Sequence, residues 1–332
     1  MLIKSHSCPY FTGARFHLQV TCPTGAVFKV RATVVHTYTP FTISPVIKLS
    51  IDHIVPGTPN GFDNFSTGLP SEVILKVFDR RFAHELRAYY KGKPVTFDSE
   101  QAYQDYLATG PAEDIPKLAE EIKTLIGPKF RYKDAPQYLF EHFITLTMSP
   151  YFEDECAVYQ QLVSLQGHDI PIFYGVTRFI DGLIIPDLNP PVEGVLLEVV
   201  PGIGLDKIDP SVVNLDAAIS DAMRIVRDYT RLGLLNMDVR LGNFIIKPSG
   251  KLILIDFAQS RLREEDETDE EWWQDKKGQD ELGRVCFQTE IKYGRPWDPN
   301  LLNIREAVEV TPPGSVMLPC SSKVSSSEND TL

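Results

Sequence analysis

Cysteine is scarce in this sequence and is arranged neither for disulfides nor for metal. The chain of 332 residues has five cysteines, an odd number, and no two of them form a C-x-x-C pair. The seven histidines form no ligand cluster with them, so we expect no structural zinc site. Scattered cysteines of this kind favour a reducing compartment. They are Cys8, Cys22, Cys156, Cys286 and Cys320.

A long apolar run is also missing. No segment approaches the roughly 20 apolar residues that a transmembrane helix needs. Lys4, His6 and Pro9 interrupt the N-terminus where a signal peptide would carry its apolar core. We therefore expect no membrane partner and a cytoplasmic or nuclear location.

Basic residues are fewer than acidic ones, 33 against 45, so the formal net charge is −12. Proteins that bind nucleic acids draw their affinity from Lys and Arg against the phosphate backbone, so we expect no nucleic-acid partner. A single nucleotide is not excluded, because one lysine and metal ions can neutralise its phosphates locally.

Against these absences, three polar residues are closely spaced in the second half of the chain. Asp238 lies five positions before Asn243 in the run N-M-D-V-R-L-G-N, and Asp256 ends the apolar run L-I-L-I, which predicts a buried strand. Phosphoryl transfer from a nucleotide needs a carboxylate at the acceptor hydroxyl, and an amide and a second carboxylate on the metal. The spacing therefore indicates a phosphotransfer site.

Segments further upstream extend this pattern. The run E-V-I-L-K-V-F at Glu72–Phe78 places Lys76 in an apolar strand, and L-L-E-V-V-P-G at 196–202 predicts a second one. Between them, a predicted helix over 152–165 carries Glu155 on its apolar face, where it is placed to pair with Lys76.

Together these segments resemble the protein kinase-like superfamily, in which the catalytic loop reads H-R-D-x-x-x-x-N and the metal-binding motif reads D-F-G. The corresponding letters here are N-M-D and D-F-A. The resemblance covers roughly Ala32–Ser260. The segment Val77–Arg87 is also similar to the small, atypical protein kinase-like proteins that are common in fungi.

The resemblance implies an α+β, bilobal fold with a β-rich N-lobe, a helical insertion and a shortened, mostly helical C-lobe. The domain boundaries that follow are an N-terminal hairpin extension over 1–31, an N-lobe over 32–200 with the insertion at 80–150, a C-lobe over 201–308, and a serine-rich tail over 309–332. We predict that this tail is disordered.

The resemblance further implies ATP and Mg²⁺ as cofactors. On the nucleotide side, Lys76 would contact the α- and β-phosphates and Glu155 would hold it in place. Leu197 would gate the adenine pocket, and Glu198 and Val200 would offer backbone groups to the adenine.

On the acceptor side, Asp256 and Asn243 would ligate Mg²⁺. Asp238 would orient the acceptor hydroxyl and take its proton, and Arg240 would stabilise charge in the transition state. The implied partner is a hydroxyl-bearing substrate, either a protein or a small molecule.

The chain departs from the kinase pattern in several places. Asn236 replaces the histidine, Ala258 replaces the last glycine, and the turn at 39–44 has no glycine where phosphates would be covered. No A-P-E motif follows, and only one further helix, near 270–287, is predicted. No group that touches the metal or the reacting phosphate is lost, so we favour an active phosphotransferase. A small-molecule kinase, a pseudokinase or nucleotide-gated interaction module, and a non-kinase α+β binding protein remain alternatives.

The inserted segment begins with three arginines, Arg80, Arg81 and Arg87. They admit a phosphate or anion site, although a solvated helix face is the favoured interpretation. Hydrophobic periodicity predicts the remaining elements. These are a hairpin within 14–37, a strand pair at 32–37 and 46–52, a hairpin of 176–185 with 195–200, and helices at 100–107, 115–126 and 217–232.

Overall fold

The computed structural model describes residues 8–56, 68–180 and 191–294. Its architecture is mixed α and β, as the sequence predicted. The predicted serine-rich tail lies outside the described residues. Within the described ranges, no helix combines the length and the apolar content that crossing a membrane requires.

Six antiparallel strands close into a barrel in the order β1-β2-β3-β4-β6-β5. Alternating side chains of β1 and β2 point into an apolar interior, because successive residues of a strand face opposite sides. The predicted hairpins and strand pair are confirmed within the described residues. The strands are β1 (Arg15–Thr21), β2 (Val27–Tyr38), β3 (Val46–Pro56), β4 (Glu72–Phe78), β5 (Phe173–Phe179) and β6 (Glu193–Leu197).

The first hairpin, predicted as an N-terminal extension that ends at residue 31, is part of the barrel sheet. Strand β2 runs through that position without interruption, and β1 pairs with both β2 and β5 to close the barrel. The reason is the burial of Phe16, Leu18 and Val20, which contribute to the same core as β3 and β4. Local alternation predicted the hairpin but contained no information about β5, the second strand with which β1 pairs.

Helices α1 (His84–Tyr89), α2 (Phe97–Leu107), α3 (Ile115–Ile126) and α4 (Gln137–Gln161) fill the chain between β4 and β5. The predicted helices at 100–107 and 115–126 are confirmed. The helix predicted at 152–165 instead begins at Gln137 and contains 25 residues.

The boundary predicted for the insertion at residue 150 falls inside α4. Leu139, Phe140 and Phe143 form a core with α3, while later residues of the same helix pack against the barrel strands. Pro150 lies inside α4. One continuous helix thus connects the inserted segment to Glu155.

Within the described residues after β6, five short strands accompany three α-helices. They are β7 (Ile203–Gly204), α5 (Leu215–Arg231), β8 (Leu234–Asn236), β9 (Phe244–Ile246), β10 (Leu252–Leu254), β11 (Ser260–Leu262), α6 (Asp269–Gln279) and α7 (Glu281–Tyr293). Helix α5 confirms the prediction at 217–232. The prediction of a single helix near 270–287 is wrong, because two helices, α6 and α7, lie there. Asp280 adopts a left-handed backbone (φ 46°) that ends α6, and its side chain accepts from the Gly283 N–H to cap α7.

One apolar core joins the barrel to the helical half of the chain. It combines residues of α4, β5 and β6 with residues of α5, β8, β9 and β10. Short strand pairs β9–β10 and β8–β11 carry the loops after Asn236 and after Leu254 to the edge of this core. The predicted site residues lie on these loops and on the facing β4 and α4.

Candidate active site

Lys76 lies in the middle of β4, between β3 and β6. Because Leu75 and Val77 point into the barrel core, the alternation of the strand directs Lys76 to the outer face, toward α4. There its Nζ is 2.7 Å from Glu155 Oε2, and the two side chains are 7% and 0% exposed. The ion pair predicted from the helix face is present.

Lys76 also contacts the residue at the end of the apolar run 252–255. Its Nζ lies 2.6 Å from Asp256 Oδ1. Asp256 has a left-handed backbone (φ 70°), which is uncommon for a residue other than glycine and costs free energy. A strained residue that places its carboxylate on a buried lysine is typical of a functional site.

The three groups have shifted pKa values. Burial raises the pKa of Glu155 to about 7, with Asp256 adding to the rise and Lys76 opposing it. Burial raises the pKa of Asp256 too, but Lys76 outweighs it and the net pKa is lowered. For Lys76 the two carboxylates overcome the effect of burial, so its pKa is raised and it carries its charge. Ionisable groups whose pKa values are shifted by burial and by specific charged partners are candidates for function.

The loop after β8 lies beside Asp256. The Ile255 N–H donates to the Asn243 carbonyl (2.8 Å), one position beyond the β9–β10 pair, so Asn243 and Asp256 lie next to each other. The Asn243 Nδ2 donates to the Asp238 carbonyl (3.1 Å). Asp238, Asn243 and Asp256 are therefore brought together at one edge of the molecule's core.

Asp238 forms an ion pair with Arg240, and Arg240 Nε donates to Asp238 Oδ2 over 2.9 Å. Burial raises the pKa of Asp238, although Arg240 opposes the rise. The side chain of Asp238 is 18% exposed and that of Arg240 is 46% exposed, so both are accessible to an incoming molecule. Arg240 therefore contacts a carboxylate in this state of the protein.

The predicted adenine-binding segment follows β6. Leu197 is buried and pairs with Ile74 and Phe173. The Glu198 N–H donates to the Ile172 carbonyl (2.9 Å), so it continues the β5–β6 ladder and is not available to a ligand. Within the described residues, the Val200 N–H makes no backbone hydrogen bond.

Three packed aromatic rings couple α4 to the loop after Asp256. Tyr159, one turn after Glu155, stacks on Phe173 with ring centroids 5.3 Å apart. Its other side meets the edge of Phe257, with centroids 5.5 Å apart. All three rings are buried. Because Phe257 directly follows Asp256, the packing of these rings fixes the position of Asp256 relative to Glu155.

Helix α7 contributes residues that the sequence analysis missed. Its Glu281 accepts from the backbone N–H at the end of β8 (2.8 Å), Arg284 donates to a loop carbonyl (2.9 Å), and Gln288 makes two loop hydrogen bonds (2.9 and 3.0 Å). The spacing of these polar residues at i, i+3 and i+7 put them on one helix face, which was the signal available in the sequence. Their partners are Asn236, Met237, Val239 and Leu241.

The arginines at the start of the insertion form neither an anion site nor a solvated helix face. Arg80 and Arg87 are buried against Glu141 of α4, and Arg80 also pairs with Glu100. Arg81 pairs with Asp79 at 2.7 Å. The prediction is wrong because Glu100 and Glu141, distant in sequence, neutralise Arg80 and Arg87, and the neighbouring Asp79 neutralises Arg81, as burial of charge requires.

The donor set fits a magnesium ion that is completed by phosphate oxygens. Because the Asn243 Nδ2 donates to a carbonyl, its Oδ1 is left as a ligand, and Asp256 has a second carboxylate oxygen. Mg²⁺ typically takes one or two carboxylates together with substrate phosphates. In the described ranges, no group of three or more His, Cys, Asp or Glu side chains is arranged to hold a metal by itself.

Comparison with known proteins does not assign this chain to a family. Neither the scan against protein-family models nor the search of curated proteins finds a match for this chain.

Proposed function

We propose that this chain is an ATP-dependent phosphotransferase with a protein kinase-like, bilobal arrangement. The observation that carries the proposal is Lys76, a buried cation between Glu155 and the strained Asp256. Nothing in the packing of the strand requires a lysine there. A cation that two carboxylates orient toward the Asp238 loop is what binding a polyphosphate requires.

The acceptor chemistry follows from the neighbouring loop. Asp238 is partly accessible and is the carboxylate that would orient an acceptor hydroxyl and take its proton. Arg240 is held beside it, and its side chain, which is 46% exposed, would turn from Asp238 to the transferring phosphate, where a cation stabilises developing charge. Mg²⁺ would be held by Asn243 and Asp256 and would neutralise charge on the phosphates.

A nucleotide-binding pseudokinase is the second candidate, and the Asp238–Arg240 ion pair favours it. If this pair persists when nucleotide is bound, the carboxylate that would accept the proton stays neutralised. The acceptor, whether a protein or a small molecule, is not determined by either candidate.

The test has two steps. Binding of Mg-ATP is measured by calorimetry for the wild type, for Lys76→Ala and for Lys123→Ala, an exposed lysine that serves as the matched control. We expect binding by the wild type and the control and its loss in Lys76→Ala. Absence of binding by the wild type would contradict both candidates.

Phosphotransfer is then measured as ATP turnover by the wild type and by Asp238→Ala. A general base contributes about a hundredfold to ten-thousandfold in rate, so we expect turnover to fall by at least about a hundredfold. Equal, near-zero turnover by two proteins that bind Mg-ATP equally well would favour the pseudokinase.

A further inference from the structure

The turn between β2 and β3, residues 39–44, is fastened to the inserted segment rather than free. The ring of Phe41 is buried, and its centroid lies 6.4 Å from the ring centroid of Tyr10 and 6.1 Å from that of His84, at the start of α1. The Glu85 N–H of α1 donates to the Thr42 carbonyl (2.9 Å). A turn without glycine that is anchored by a buried aromatic ring has little freedom to open and close.

The same segment is anchored on its other side to α4. Arg80 and Arg87 both pair with Glu141, which is fully buried and lies on the helix that also carries Glu155. Removing one partner from a buried ion pair is strongly unfavourable, so these contacts hold the segment and α4 together. The inserted segment thus touches the turn above the site and the helix that orients Lys76.

A further contact places the end of the turn beside Lys76. The Val77 N–H, one residue after Lys76, donates to the Pro45 carbonyl at the end of the turn (2.8 Å). The turn that α1 holds therefore ends beside Lys76.

The backbone of the turn retains groups for a ligand. Its carbonyls at Thr42 and Pro45 are engaged, whereas the N–H groups of Thr42 and Ile43 have no acceptor within the part of the chain that the structure describes. Backbone N–H groups in turns bind phosphate oxygens.

We infer that the segment Arg80–Tyr89 is a brace that holds the β2–β3 turn as a fixed roof over the phosphates and holds α4 in its Lys76-binding position. The brace holds the turn at two points: the ring of Phe41 packs beside His84, and the Glu85 N–H donates to the Thr42 carbonyl. This inference rests on the proposed function for the identity of the ligand. It explains why the turn dispenses with glycine: a roof that is held in place does not need a flexible backbone.

The test compares Phe41→Ala with Phe28→Ala. Both rings belong to the barrel core, but Phe28 lies at the other end of β2 and does not contact the turn. We measure the hydrogen-exchange rate of the Val77 amide and the KM and kcat for ATP. For Phe41→Ala we expect roughly tenfold faster exchange and a roughly tenfold higher KM, with kcat within about threefold.

Phe28→Ala should lower global stability by a similar amount without these local changes. Equal changes in both variants, or none in Phe41→Ala, would overturn the inference. If Phe41→Ala does not fold, Glu85→Pro removes the N–H donated to Thr42 without breaking a hydrogen bond inside α1, because N–H groups in the first turn of a helix have no intrahelical partner. Glu85→Ala keeps that N–H and is the control. The Pro variant must show the faster exchange and the Ala variant must not.

The two proposals fail in distinguishable ways. A wild-type protein that binds no Mg-ATP contradicts the proposed function, while exchange at Val77 still decides whether the brace fixes the turn. A protein that binds Mg-ATP but shows no difference between the Phe41 and Phe28 variants contradicts the brace alone.

Discussion

The two sides of the proposed site differ in how deeply their charges are buried. Lys76 and Glu155 are 7% and 0% exposed, whereas Asp238 and Arg240 are 18% and 46% exposed. Charges on the nucleotide side are held by the packing of β4 against α4 and contribute to the folding of the protein. Charges on the acceptor side are held in a solvated ion pair, which contributes little to stability and leaves them free to exchange partners.

The largest effect that tests this comparison is on the nucleotide side. Lys76→Met leaves Glu155 and Asp256 without their shared cation, so we expect the free energy of unfolding to fall by about 4 kcal/mol at pH 8. Lys123→Met, at an exposed position, should change it by less than about 1 kcal/mol. Urea denaturation measures both values. A similar, small change in the two variants would show that the buried ion pair contributes nothing.

The pH dependence of stability gives the next largest effect. The pKa of Glu155 is raised from 4.5 to about 7 in the folded protein, so the folded state binds more protons between these values. Its contribution to stability is complete below about pH 4.5 and is lost as the pH rises through 7, by roughly 3 kcal/mol.

Glu155→Gln should lack this component. Between pH 4.5 and pH 8 we therefore expect the unfolding free energy of the wild type to fall relative to that of Glu155→Gln. A difference that is constant across this range would contradict the raised pKa.

On the acceptor side, a substitution should affect chemistry and leave folding almost unchanged. Asp238→Asn keeps the size of the side chain and removes a partly exposed ion pair, so we expect its unfolding free energy to stay within about 1 kcal/mol of the wild-type value. A loss as large as that of Lys76→Met would remove the contrast between the two sides. Thermal and urea unfolding of the two variants in parallel provide the measurement.

The smallest effect concerns the rings that connect the two sides. Tyr159 is fully buried, and its hydroxyl has no hydrogen-bond partner among the described residues. Tyr159→Phe keeps the contacts with Phe173 and Phe257 and removes an unsatisfied polar group, so we expect it to be neutral or to stabilise by up to about 1 kcal/mol. Destabilisation by more than that would reveal a partner for the hydroxyl.

The sequence alone determined those features that depend on local patterns. Alternation within β1 and the apolar run of β4 predicted strands, and the 3.6-residue period put Glu155 on a helix face from which it could pair with Lys76. The spacing of Asp238, Asn243 and Asp256 predicted their proximity, because each follows or precedes a short buried strand. These inferences needed only neighbouring residues.

Tertiary structure decided what depends on residues far apart in the chain. The closure of β1 on β5, the extension of α4 back to Gln137, and the burial of Arg80 and Arg87 on Glu141 each require a partner that no local pattern identifies. The same holds for α7, where Glu281, Arg284 and Gln288 support the loop of Asp238. Periodicity shows which face of an element is apolar or polar, but the packing of the whole chain determines which element that face meets.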